Sequence, residues 1–424
     1  PPIHPSAWKG NSANFAITEF SVVRAERLYR RSYLGAVVEW RKMGWANSIA
    51  RACTLIVLLV AVFGLTACGN GGQDPAASAP EPGRVDPSVE EFLDDTLPDG
   101  TSGTVVAARG GSVAHCRGFG LADRDAKVAA GCDTVYDTMS MTKQFTAAAI
   151  LKLEMMGKLR VTDPLSKFVG PVPDDKRAIT VHHLLTHTAG LTEQLGGDYD
   201  VLSRKDMLDG ALESELRSAP GTEYSYSNLG YSILAAIVEK VSGRSYEEFL
   251  AAQLLEPAGM RHTGYVLPEW GPEQVAVEYD ENGEPKGRPF DHPWAEDGPY
   301  WNLRGNGGML STAHDMFRWH VALRGEEILS KSAKEKMFKP HVPEEEGGDS
   351  YYGYGWVVSP ADEGRILWHD GGNGWSLGVL ARFPDQDAMV FWVSNHAYKD
   401  GEWNLENLER KLTLGIAERV LDDD

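Results

Sequence analysis

Three groups of residues in this 424-residue chain could do chemistry together. Ser140 and Lys143 stand three apart at the head of an apolar segment, "SMTKQFTAAAILKLEMMGKL", with Gly157 near its end. In a helix, residues at that spacing share a face, so the hydroxyl and the amine can touch. A serine is a weak nucleophile at its own pKa and needs a neighbouring base. A lysine held dry at a helix N-terminus gives up its proton readily, because burial and the positive end of the helix dipole both oppose its charge. Tyr226-Ser227-Asn228 precedes a second apolar run closed by Gly243, and offers a hydroxyl to relay a proton and an amide to hold lysine and substrate. His369-Asp370-Gly371-Gly372 ends an apolar run, where glycines would admit a substrate backbone and leave N–H groups facing an oxyanion. The outline is acyl transfer to serine.

Spacing alone does not select these residues. Ser6 and Lys9 repeat the first pair, Tyr300 and Asn302 the second, and His262-Thr263-Gly264 the third. Each also has an ordinary use: a tyrosine anchored by its ring, a helix-capping asparagine, a tight turn beside a structural histidine. His183 and His187 are four apart, with His182 adjoining, which is a metal-like spacing. The residues between them are Leu184, Leu185 and Thr186, without the glutamate of zincins, so no metal site is expected. Trp301, Trp368 and Trp375 could line an acyl pocket or pack in the core.

The elements that must position these groups follow from patterning. A short helix from Val89 leads into "GTVVAAR" and "GSVAHCRGFG", two strand-like runs joined at Gly110-Gly111 as in a hairpin. Residues 140–157, 179–191, 204–217, 228–242, 245–256 and 311–323 have helical character, the last capped by Ser311 or Thr312. Residues 265–307 show no period and are expected to be loops. Four more strand-like runs follow, "YGYGWVV", "GRILWHD", "WSLGVLARF" and "DAMVFWVSN", before an amphipathic helix over 403–421. Strands at both ends with helices between suggest one sheet closed by the two ends of the chain.

The net charge is −20, which argues against a nucleic-acid partner. Residues 1–67 hold 8 basic and 3 acidic residues, or +5, which leaves −25 for residues 68–424. The basic front explains itself locally. Met43 opens a segment with Arg51, an apolar run from Leu55 to Leu65 and then "LTAC", which suits a signal peptide over 43–67. Leu65-Thr66-Ala67-Cys68 resembles the bacterial lipobox, which implies cleavage before Cys68, a lipid on its sulfur and a membrane-anchored lipoprotein of the cell envelope. Residues 1–42 are expected to be an upstream extension with no fold of their own. Residues 68–88, rich in Gly, Pro, Ala and Ser, are expected to be a flexible tether, and 89–424 the folded domain. An exported compartment permits Cys116 and Cys132 to pair, and leaves open whether they do.

The ordered set Ser140/Lys143, Tyr226/Asn228 and His369/Gly371 resembles the serine β-lactamase/penicillin-binding-protein superfamily, in its class C and esterase-like branch. "ITVHHLLTHTAGL", "PGTEYSYSNLGYSILAAIVEKVSG", "LLEPAGMRHTGY" and "GNGGMLSTAHDMFRW" are similar to that branch's connecting segments, and the likeness covers about residues 89–420. It selects 226–228 over 300–302. The resemblance implies an α/β (α+β) fold, an antiparallel sheet flanked by helices with an inserted helical subdomain. It implies a serine hydrolase with Ser140 as nucleophile, Lys143 and Tyr226 moving the proton, and Asn228 orienting lysine and substrate. The oxyanion would sit between the N–H groups of Ser140 and Gly372, behind His369 and Gly371. No metal or organic cofactor is implied, and the partner is a small ester, amide or peptide. His369 stands where β-lactamases and many D,D-peptidases carry lysine. A neutral histidine holds a substrate carboxylate less well, which favours ester or D-amino-acid amide substrates over β-lactams or D,D-peptides. A non-catalytic binding protein on the same fold is the reading from another class.

Overall fold

The computed structural model describes residues 84–361 and 364–422. The expected extension, signal peptide, Cys68 and most of the tether lie outside the described residues. The fold begins earlier than 89: helix α1 (Pro87–Thr96) is capped by the Asp86 side chain, and the Arg84 carbonyl accepts the Cys116 N–H at 2.8 Å. Proline at the first helical position suits that start, since it has no N–H to leave unpaired there. Residues 84–88 therefore belong to the domain.

Eight strands form one sheet: β1 (Gly103–Arg109), β2 (Ser112–Phe119), β3 (Val342–Pro343), β4 (Tyr351–Tyr352), β5 (Val357–Pro360), β6 (Arg365–Gly372), β7 (Leu377–Phe383) and β8 (Ala388–Ser394). Their order is β3-β4-β5-β6-β7-β8-β1-β2, and every pairing is antiparallel. The first two described strands thus dock beside the last strand of this sheet. Side-chain alternation gives the sheet two apolar faces. Val105, Ala107, Ile366, Trp368, Val379 and Trp392 pack with α1 and the C-terminal helix. Val106, Ala108, Leu367, Leu380, Phe391 and Val393 join the larger core with the central helices.

The central helices are α2 (Thr142–Met155), α3 (Val181–Leu185), α4 (Arg204–Glu213), α5 (Asn228–Ser242) and α6 (Ala313–Ala322), and α7 (Glu409–Leu421) closes the chain. α2 is apolar on nearly every side because it is buried on nearly every side, from Thr142 through Leu151. The segment 179–191 is helical only over α3, since His187 takes φ +56° and ends any helical path. The final helix starts at Glu409 rather than 403, because Trp403–Asn404 pairs with Tyr398–Lys399 as a short strand. Cys116 and Cys132 form a disulfide. A ring nitrogen of His314 lies within 4.8 Å of both sulfurs, which the bond between them keeps from acting as thiolates.

Candidate active site

Ser140 sits in a single 3-10 turn, Met139–Met141, which feeds directly into α2 and puts Lys143 one helical turn on. Lys143 is fully buried. Its Nζ lies 3.0 Å from Ser140 Oγ, 2.8 Å from Asn228 Oδ1 and 2.8 Å from the Asn306 carbonyl oxygen. The last two partners can only accept. They fix two hydrogens of a neutral amine and leave its lone pair directed at the serine hydroxyl. Burial pulls the Lys143 pKa down to about 7, against the raising effect of Asp198, Asp370 and Glu193. A lysine so placed is a base at neutral pH.

Tyr226 approaches Ser140 from the other side, with its hydroxyl 3.0 Å from Ser140 Oγ. Burial holds its pKa well above the ordinary tyrosine value, so it enters as a proton donor and not as a phenolate. The segment is positioned from behind. Ser227 caps α5 through Gly230 N–H, its own N–H donates to His187 Nδ1 at 3.0 Å, and the His187 ring packs 4.4 Å from that of Tyr226. The three neighbouring histidines turn to different partners: His182 to Tyr354, His183 to the Thr180 N–H, His187 to Ser227. His187 is a positioning residue that its metal-like spacing disguised.

The end of β6 packs against the nucleophile turn. A methyl group on Gly371 would lie 2.8 Å from the Ser140 nitrogen and 2.8 Å from Met139 Cβ, so glycine is needed for this approach. Gly372 lines the same cleft as Ser140. His369 does not line it. Its Nδ1 is 2.6 Å from the Asp370 carbonyl oxygen, which makes Nδ1 the protonated nitrogen, and Nε2 then accepts from Tyr352 O–H at 2.9 Å. Burial, then the nearby Lys143, lowers its pKa to about 3. His369 is a neutral strut behind the site.

The cleft is lined by Ser140, Asn228, Asn306 and Gly372, with Asp137 and Asp198 as its acidic side chains. Tyr199, also in the lining, stacks on His292 at 4.0 Å, and His292 on Trp375 at 5.1 Å. Trp375 thus backs the cleft wall, whereas Trp368 and Trp301 are core residues. Asn302 of the rejected pair supports the site indirectly, since its carbonyl accepts from Asn306 Nδ2 at 2.8 Å.

The family model described as Beta-lactamase matches residues 93–414. The chain belongs to the beta-lactamase family. Penicillin-binding protein 4* of Bacillus subtilis (strain 168) is 31% identical over 309 residues, which cover 69% of this chain and 68% of that protein. Among solved structures, the octameric penicillin-binding protein homologue from Pyrococcus abyssi superposes with a TM-score of 0.65 at 28% identity, covering 78% of this chain and 76% of that one. EstCE1, a hydrolase with promiscuous acyltransferase activity, gives a TM-score of 0.66 over 79% of this chain and 97% of its own. At 23% identity that likeness is one of fold.

Proposed function

We propose that this chain is a serine hydrolase that cleaves small esters or amides through an acyl-Ser140 intermediate. The observation that carries the reading is the amine of Lys143, dry and held 3.0 Å from Ser140 Oγ by two neutral acceptors. Ser140 Oγ attacks the acyl carbonyl carbon while Lys143 Nζ takes its proton. The oxyanion is received by the N–H groups of Ser140 and Gly372. Tyr226, whose hydroxyl donates to Ser140 Oγ, passes a proton from Lys143 to the leaving atom, and Asn228 keeps the lysine aligned. Water then attacks the acyl carbonyl by the same route in reverse.

The charge of the cleft supports an ester or amide without a free carboxylate. Asp137 and Asp198 are its acidic side chains and its lining, among the described residues, holds no lysine, arginine or histidine, so a substrate carboxylate meets no basic partner there. Hydrolysis of a neutral short-chain p-nitrophenyl ester by the full chain tests the reading. Ser140→Ala should lower kcat by about 10^4-fold or more, and nitrocefin and D-alanyl-D-alanine peptides should turn over more slowly than the ester. Undiminished turnover in Ser140→Ala would remove Ser140 as nucleophile. No turnover of any of these substrates would favour a binding protein.

From Arg51, the apolar run and Leu65-Thr66-Ala67-Cys68, we also propose that the protein is exported and held at a membrane by lipid on Cys68. Cys68→Ala should release it to the soluble fraction after expression in a bacterial host. Continued membrane association would contradict this.

A further inference from the structure

The two N–H groups assigned to the oxyanion belong to separate turns, and each turn hangs from a buried carboxyl group. Asp137 Oδ1 accepts the Met139 N–H at 2.6 Å, one residue before the nucleophile. Met139 takes φ +47°, a left-handed conformation uncommon outside glycine, so this turn needs an external hold. On the other side, Glu278 Oε1 accepts from Asn373 Nδ2 at 2.7 Å and from Ser376 Oγ at 2.6 Å. Asn373 Oδ1 accepts the N–H groups of Trp375 and Ser376, which closes the turn that directly follows Gly372. Asp137 and Asn373 both line the cleft that holds Ser140 and Gly372. Asp137 is 4% exposed and Glu278 2%.

We propose that Asp137 and Glu278 form a carboxyl clamp, two positioning residues that hold the Ser140 turn and the Gly372 turn on either side of one cleft and so set the spacing of the oxyanion donors. The proposal rests on the acyl-Ser140 reading given above. Neither carboxyl is required to touch the reacting atoms. Their effect is on where the two donors stand, and misplaced donors lose most of their value to the transition state.

The clamp carries a charge problem that bears on how it works. Glu278 Oε2 is buried without a hydrogen-bond partner. Burial, and then the charge of Glu278, holds the Asp137 pKa well above the carboxylate range, and burial raises Glu278 as well. Asp198 and Tyr199 of the 198–200 loop also face the pair, Asp198 adding negative charge and Tyr199 staying neutral. Lys143 acts on Asp198, whose pKa it lowers against burial, and is itself neutral above about pH 7. Two close buried carboxyls keep one proton between them, because full ionisation sets like charges together in a dry site. As pH rises the second proton leaves, the carboxylates repel, and the two turns are pushed apart.

Asp137→Asn and Glu278→Gln keep the accepting oxygens and remove the repulsion; Asp137→Ala removes the anchor. In the full chain, Asp137→Ala should lower kcat for the p-nitrophenyl ester about 100-fold with little change in KM, as for a lost oxyanion donor. Asp137→Asn should restore kcat to within about tenfold of the native value at neutral pH. The alkaline limb of the native kcat profile should disappear in Asp137→Asn and in Glu278→Gln. If Asp137→Ala fails to fold, the two amide variants carry the test through their pH profiles. An alkaline limb that persists unchanged in both would overturn the clamp, as would an Asp137→Asn as impaired as Asp137→Ala. Ser140→Ala measured beside them separates the two ideas: if it stays active, the nucleophile assignment fails; if it is inactive while the limb persists, only the clamp fails.

Discussion

Lys143 on the helical side of the cleft and the pair Asp137 and Glu278 on the side of strands and loops are all buried, and burial moves them in opposite directions. The lysine is surrounded by neutral acceptors, so desolvation lowers its pKa to about 7 and frees a lone pair. The carboxyls are bonded to backbone, amide and hydroxyl donors that favour the charged form, but desolvation outweighs them, raises both pKa values and favours a retained proton. One physical cause thus yields a base on one side and a structural anchor on the other. The difference lies in the partners. A cation given no counter-ion at contact distance becomes reactive, whereas an acid pair given backbone N–H and side-chain donors becomes architecture.

The comparison breaks most severely where the two sides touch. Gly371→Ala inserts a methyl group 2.8 Å from the Ser140 nitrogen, and a backbone neighbour cannot swing aside. We expect kcat to fall about 100-fold, with the melting temperature lowered and the acid limb set by Lys143 still near pH 7. Unchanged kcat would mean that β6 and the nucleophile turn are not held together in the working enzyme.

A smaller effect sharpens the lysine side. Below its pKa of about 7, Lys143 gains a third hydrogen and loses the lone pair, so kcat/KM should fall about tenfold per pH unit on the acid side. Asn228→Asp would place a carboxylate where Oδ1 now lies 2.8 Å from Nζ. An anion there favours the ammonium, raises the pKa and shifts the acid limb to higher pH, with about tenfold lower activity at pH 7. A limb that stays in place would show that another group sets it.

Local spacing showed which side chains could meet, but the order of the three motifs and their flanking segments selected them over Ser6/Lys9, Tyr300/Asn302 and His262/Gly264. Ser140 and Lys143 touch because one helical turn separates them, and Tyr226 with Asn228 meets them through the helix that Ser227 caps. The sheet closed by both chain ends was legible from strand-like runs on either side of the helices. Asn306 was not, because it holds Lys143 through a backbone carbonyl, which any residue type would carry. Asp137 and Glu278 were not, because an isolated acid in a sequence gives no sign of what it will face after folding. His369 was placed in the right strand, but that its two nitrogens would both be engaged by Tyr352 and the Asp370 carbonyl depends on packing. The early end of α3 and the late start of α7 follow from backbone at His187 and pairing at Trp403, neither of which leaves a periodic trace.

The most direct test of the central claim is to label the native full chain with a fluorophosphonate, which bonds covalently to an activated serine, and to map the adduct by peptide mass spectrometry. The account predicts a single adduct on Ser140, formed faster as pH rises through about 7 as Lys143 loses its proton. An adduct on a different residue, or labelling of Ser140 that is indifferent to pH across that range, would contradict it.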